Sequence, residues 1–155
     1  MLTDQVKESI QSAYKQLIDA KQLTPRYGQR LMIAEIAKCL ATIDSGGAPP
    51  ICVVEAGTGT GKTLAYVLAV LPLAQKLGYK VVIATATVAL QEQVVLKDLP
   101  EIVNDSGLKF SYSLAKGRGR YLCLAKLDML LEGNDSLNAM MDLYGEDVDG
   151  ADTAN

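Results

Sequence analysis

The segment Ala56-Gly57-Thr58-Gly59-Thr60-Gly61-Lys62-Thr63 follows directly on the apolar run Ile51-Cys52-Val53-Val54. A short apolar strand, a glycine-rich turn and a Gly-Lys-Thr helix start admit few folds. The turn must bend tightly and deliver its backbone N–H groups to one point, which is the arrangement of a phosphate-binding loop. The N–H groups cradle phosphates, and a helix beginning near Lys62 adds the positive end of its dipole. In this pattern Lys62 reaches the β and γ phosphates, and the Thr63 hydroxyl coordinates Mg²⁺. Gly57, Gly59 and Gly61 let the backbone approach the ligand and take positive φ without a Cβ clash. The strict pattern opens on glycine, where this chain has Ala56. A glycine-rich strand-to-helix turn with no ligand is the plainer reading, but strand, loop, Gly-Lys-Thr and a following apolar helix all fall in order.

The rest of the chain fits an α/β fold. Residues 4–20 space Val6, Ile10, Tyr14, Leu17 and Ile18 at helical intervals, with Thr3 or Asp4 as N-cap, and Thr24-Pro25 breaks the helix. A second helix is expected from about Gln29 to Ile43, with Leu31, Ile33, Ile36, Ala37 and Leu40 inward. Residues 45–50 read as a linker. Residues 51–55 read as a buried strand, and the helix after the loop runs to Leu77, with Gly78 as C-cap and a kink at Pro72. Residues 80–85 form a second buried strand, 87–97 a helix, 108–114 a third strand and 123–131 a helix. Strands alternating with helices predict a parallel sheet covered on both faces, although three strands are few for one.

Composition excludes several classes. At 155 residues and 49% hydrophobic, the chain suits one domain with a core and has no 18-residue apolar run to span a membrane. Its first twenty residues are charged and amphipathic, unlike a signal peptide. Cys39, Cys52 and Cys123 are too few and scattered for a disulfide framework, so the cytoplasm is the expected location. Seven acids and no Lys or Arg lie from Glu132 onward, which leaves residues 1–131 with a net charge of +4. A mildly basic body can face nucleic acid, and an acidic, weakly periodic tail reads as disordered and solubilising.

Four segments carry a resemblance. Glu55 to Thr63 resembles the first motif of the XPD-like branch of superfamily 2 helicases, in which alanine at the loop's first position is a familiar variant. Thr85-Ala86-Thr87-Val88-Ala89-Leu90-Gln91-Glu92-Gln93 resembles motif Ia of that branch. Pro25-Arg26-Tyr27-Gly28-Gln29-Arg30 resembles a Q-motif, and Lys116-Gly117-Arg118-Gly119-Arg120-Tyr121-Leu122-Cys123 resembles the segment that delivers the first cysteine of an iron–sulfur cluster. In order and wording, over about residues 1–131, they are similar to the DinG family of bacterial DNA helicases.

That resemblance implies a RecA-like P-loop NTPase sheet with flanking helices, incomplete in this chain. It implies an ATP-dependent 5′→3′ DNA helicase of damage response and repair, acting on single-stranded DNA and on forked or RNA–DNA structures. A nucleoid-associated setting and a single-stranded-DNA-binding protein as partner are further expectations. ATP and Mg²⁺ would sit on residues 56–63, with Gln29 on the adenine edge. Thr85, Thr87 and Gln93 would hold DNA phosphates, and Cys123 would be one of four ligands of a four-iron four-sulfur cluster. Lys116, Arg118 and Arg120 alternate with glycines that keep the backbone adaptable to a phosphate chain, and Tyr121 could stack on a base. The organisation expected is residues 1–50 as N-terminal helices, Q-motif and linker; 51–115 as the first part of the motor; and 116–155 as the start of the iron–sulfur insertion with its tail.

Each of these residues also has a plainer role. Thr85 or Thr87 can cap a helix, Gln29 can be an ordinary helix-start side chain, and the basic turn can be merely solvated. Cys123 can be a small packing residue, as Cys39 and Cys52 read. The sequence shows no Asp-Glu pair after an apolar strand, no arginine finger that can be placed and no cysteine after Cys123. Phosphoryl transfer needs a positioned metal and water, and such a cluster needs four thiolates. The chain therefore reads as the N-terminal ATP-binding portion of a longer helicase, with little turnover by itself. Two other readings stay open: another P-loop enzyme such as a small-molecule kinase, and a non-catalytic nucleotide- or DNA-binding module.

Overall fold

The computed structural model describes residues 2–43 and 46–131. The chain divides into two units, Met1–Ser113 and Leu114–Asn155. The acidic stretch from Glu132 onward, expected to be disordered, lies outside the described residues.

Three helices build the core of the first unit: α1 (Asp4–Ala20), α2 (Tyr27–Leu40) and α3 (Lys62–Leu77). α3 packs on both of the others. It buries Ala65, Val67, Leu68, Ala69, Leu73 and Ala74, more than one stripe, because neighbours cover it on two sides. α1 contributes Val6, Ile10, Ala13 and Leu17, at the expected spacing. Full burial of Leu17 and Leu68 contributes about 1.5–3 kcal/mol each.

Caps follow the sequence in part. Thr3 is the N-cap of α1, through its carbonyl and not its hydroxyl. In the first turn Lys7 donates to Asp4, and that bond first, then the lysine's charge, holds the Asp4 carboxyl below its ordinary value. α3 ends as expected at Gly78, left-handed at φ 71°, and runs on through Pro72. α2 starts two residues earlier than expected and keeps the expected Ile33, Ile36 and Ala37 inward. Gln29, Met32, Ile33, Ile36 and Ala37 are buried, whereas Leu31, expected inward, is 46% exposed.

A long helical stretch follows residues 80–87. It comprises α4 (Val88–Gln93), one π-helical turn (Val94–Asp98) and α5 (Leu99–Asp105). In the π turn the Leu99 N–H donates to the Val94 carbonyl, five residues back. Pro100 explains the widening, since it has no N–H to give and its ring crowds the carbonyl four residues earlier. The turn keeps Val94, Leu99 and Ile102 buried together. The Thr87 hydroxyl accepts the Leu90 N–H at 3.2 Å and caps α4. Thr87→Ala is expected to cost about 1 kcal/mol, read as a lowered urea midpoint with an unchanged slope.

The expected strands are not hydrogen-bonded into a sheet among the described residues. Residues 51–55, 80–85 and 108–114 are non-helical and lack ladder partners. Their burial is nevertheless one-sided. Cys52, Ile83 and Phe110 pack on the helical core, while Ile51 is 84%, Val53 91% and Val82 90% exposed. The helices thus cover one side of these segments, and the other side meets solvent. Cys39 and Cys52 are half-buried neighbours. Partial burial, then the adjacent Cys39, pushes the Cys52 thiol up, which suits a packing residue rather than a thiolate ligand.

In the second unit, a 3₁₀ turn at Arg118–Arg120 precedes α6 (Leu124–Leu131). α6 buries none of its residues. No helix among the described residues is long and apolar enough to cross a membrane.

Candidate nucleotide-binding site

The loop between residues 55 and 62 is held from two directions. From within, Lys62 Nζ donates to the carbonyls of Ala56 at 2.9 Å and Gly57 at 3.0 Å, and Thr60 Oγ1 donates to Gly57 O at 2.7 Å. From α2, Arg26 Nη1 donates to Gly59 O, and Gln29 Nε2 donates to Gly61 O at 3.3 Å. Four loop carbonyls are thereby turned toward cationic or amide donors. The first N–H groups of α3, which have no intrahelical acceptors, start immediately after Gly61. A concave loop followed by a helix N-terminus, with an ammonium lying across it, suits an anion with several oxygens.

Two glycines have backbones only glycine takes comfortably: Gly59 at φ 77° and Gly61 at φ 76°. Gly57, expected to share this property, does not have a positive φ. Gly61 has a second constraint, because a Cβ there would lie 2.3 Å from Gln29 Nε2. Ala56 is partly buried against the core, whereas Thr58 is exposed. Thr63 stands in the first turn of α3, partly exposed.

Beside the loop lies a cavity of about 470 Å³. Ile18, Gln22, Leu23, Arg26, Gln29 and Leu64 are among its walls, with the backbone of Gly59 to Gly61. The structure thus brings the Q-motif-like segment beside the phosphate loop. The α1 contribution was not legible: Ile18 follows the core periodicity of α1, and nothing local marks Gln22 or Leu23. Only the Thr24-Pro25 break shows that the chain must turn there.

The other expected residues fall elsewhere. Thr85 Oγ1 donates to Thr87 O at 3.2 Å, Thr87 caps α4, and Gln93 Nε2 donates to Asp98 at 3.4 Å. Each side chain therefore has a local partner. In the second unit Lys116, Arg118 and Arg120 are exposed. The Tyr121 hydroxyl accepts the Lys116 N–H at 2.9 Å and closes the basic turn, leaving the ring 54% exposed. Cys123 is exposed, and no group of three or more His, Cys, Asp or Glu that could hold a metal occurs among the described residues.

The family model for DEAD/DEAH box helicases matches residues 26–143. The chain belongs to the DEAD/DEAH box helicase family. That match begins at Arg26, the residue that reaches across to Gly59, and takes in the loop, α3 to α5 and the basic turn. Membership carries the P-loop NTPase fold. Among curated relatives, the ATP-dependent DNA helicase DinG of Photobacterium profundum is 43% identical over 136 residues, covering 87% of this chain and 20% of that protein. The protein of the same name from Escherichia coli (strain K12) is 41% identical over 133 residues, 83% of this chain and 18% of that protein. The Salmonella typhimurium protein of that name is 39% identical over 133 residues, again 83% of this chain and 18% of that protein. This DEAD/DEAH helicase chain spans about a fifth of the length of the curated relatives it matches.

Proposed function

We propose that this chain is the ATP-binding part of an ATP-dependent 5′→3′ DNA helicase that unwinds DNA or RNA–DNA structures in repair. The observation that carries the reading is the braced phosphate loop: Lys62 and Thr63 open α3, and Arg26 and Gln29 hold the loop's carbonyls beside a cavity of nucleoside size. The sheet that such a motor requires would be completed by pairing along residues 51–55 and 80–85, whose apolar sides face solvent.

The residues present fit a nucleotide. Its phosphates would meet the loop's N–H groups and the start of α3. Lys62 would exchange two neutral carbonyls for phosphate oxygens, a stronger bond because the acceptor is then charged as well. Thr63 would offer its hydroxyl to Mg²⁺, which supplies charge neutralisation to the phosphates when bound. Gln29 has a fixed orientation: facing the Gly61 carbonyl, its amide must present NH₂ there. Its oxygen is then left as an acceptor, suited to adenine's amino group and repelled by guanine's carbonyl.

DNA phosphates would be held by Thr85, Thr87 and Gln93, and by Lys116, Arg118 and Arg120 in the basic turn. Single-stranded DNA, forked substrates, a single-stranded-DNA-binding protein and a bacterial cytoplasmic, nucleoid-associated setting belong to this reading. For a four-iron four-sulfur cluster, the described residues offer one exposed thiol, Cys123, and we derive no step through it.

Adenine-nucleotide binding and DNA-stimulated ATP turnover by the full-length protein test the reading; a protein that binds no adenine nucleotide overturns it. Arg118→Ala with Arg120→Ala is expected to weaken single-stranded DNA binding across sequences. It should also flatten the log–log salt dependence by about 0.7 for each phosphate that is no longer neutralised. An unchanged salt slope removes the basic turn from the DNA interface.

A further inference from the structure

The end of α1 holds a residue that helix geometry alone does not favour. Lys21 is the C-cap, the Gln22 N–H donates to Asp19 O at 3.1 Å, and the Leu23 N–H donates to Ile18 O at 3.0 Å. This pair of bonds is a Schellman motif, which places its C′ residue in the left-handed region and favours glycine there. Here that residue is Gln22, at φ 51°, and it has the one positive φ among the described non-glycine residues. The chain thus carries a long amide side chain at a position where a glycine would sit with less strain.

Gln22 also lines the cavity beside the phosphate loop, with Ile18 and Leu23 of the same turn and Gln29 and Leu64 from α2 and α3. Two amides therefore border one cavity of about 470 Å³ whose other walls include three aliphatic side chains. They differ in freedom. Gln29 is buried and has one N–H of its amide on Gly61 O, so its orientation is fixed, with its oxygen as an acceptor and one further N–H beside it. Gln22 is exposed, lines the same cavity and can present either end of its amide. Adenine's amino group is flanked by a ring-nitrogen acceptor on each side, so the base has room for a second amide beside the first. Aliphatic walls supply contact to its faces.

From this juxtaposition we infer that Gln22 is a second base-recognition residue: its NH₂ donates to a ring nitrogen of the adenine whose amino group Gln29 accepts. The inference rests on the nucleotide-binding reading and adds a specificity-determining side chain from α1 to it. It also accounts for a glutamine at the C′ position, since strain of this kind persists where the side chain has a use that glycine could not serve.

Gln22→Gly separates the two roles because it moves them in opposite directions. Relief of the left-handed backbone is expected to raise the Tm of the full-length protein. Loss of the amide is expected to weaken ADP binding about three- to tenfold, measured by competition against a fluorescent adenine nucleotide. Binding of inorganic tripolyphosphate, which has no base, is expected to stay the same. Gln22→Glu, which can only accept, is expected to reproduce the loss for ADP with no gain in Tm. Unchanged ADP affinity in Gln22→Gly overturns the inference and leaves Gln22 a helix terminator. An equal loss for ADP and tripolyphosphate also overturns it, by assigning the effect to the loop. Wild-type protein that binds tripolyphosphate and not ADP overturns the base site, whereas failure to bind either removes the nucleotide reading itself.

Discussion

Lys62→Ala is expected to lower DNA-stimulated ATP turnover by the full-length protein about 10²–10³-fold, equivalent to about 3–4 kcal/mol of transition-state stabilisation. The structure says why this loss should be confined to function. The Lys62 ammonium is exposed, and its two partners are loop carbonyls at residues 56 and 57 that water can reach when the side chain is gone. No buried group is stranded, so the penalty for leaving a desolvated acceptor unpaired does not arise. Lys62 also lies in the first turn of α3, where alanine is a good helix former. Turnover at saturating ATP should therefore collapse while the thermal midpoint stays within a degree or two. A large fall in the midpoint would assign Lys62 a structural role instead, and near-normal turnover would remove it from the chemistry.

Gly61→Ala should act through both stability and binding. The position sits at φ 76°, and an added Cβ would fall 2.3 Å from Gln29 Nε2. Left-handed backbone at a non-glycine residue costs about 1–2 kcal/mol. Relief of the clash requires Gln29 to give up Gly61 O, a hydrogen bond worth about 1 kcal/mol. Because Gln29 is buried, its freed NH₂ has little solvent to turn to. A lowered denaturation midpoint together with weakened adenine-nucleotide binding is the expected result. Gln29→Ala tests the cause: it removes the obstacle, so Gly61→Ala should cost less in that background than in wild type. Equal costs in both backgrounds would mean that the φ strain alone is responsible.

The helical layer was largely legible because its signals are local. Apolar spacing gave α1 to the residue, and Gly78 and the Gly-Lys-Thr start bracketed α3. Leu31 was misplaced although spacing speaks against it: on a helix it points about 160° away from Ile33, opposite the stripe that Ile33, Ile36 and Ala37 bury. The strands were legible as apolar segments and not as a sheet, since ladder pairing depends on neighbours that a single segment does not encode. Of the site, the motif residues could be read directly. The α1 wall could not, because Gln22 and Leu23 meet the loop only after the chain has turned at Thr24-Pro25. Tyr121 illustrates the same limit: an aromatic beside arginines suggests base stacking, but its hydroxyl also latches the turn that presents them.

The π turn at Val94–Asp98 has a consequence for how this segment tolerates change. On a uniform α-helix, with about 3.6 residues per turn, Val94 and Leu99 would point roughly 140° apart. Widening by one residue lets both enter the core, and Ile102 keeps its place one turn on. The segment thus contains slack equal to one amino acid. Loss of one residue here would return the turn to α-helix, and the buried stripes on either side would keep their phase. A one-residue deletion that would scramble a continuous helix can be absorbed between the cap at Thr87 and the anchor at Ile102, so in evolutionary terms this stretch can lose a residue without repacking the core.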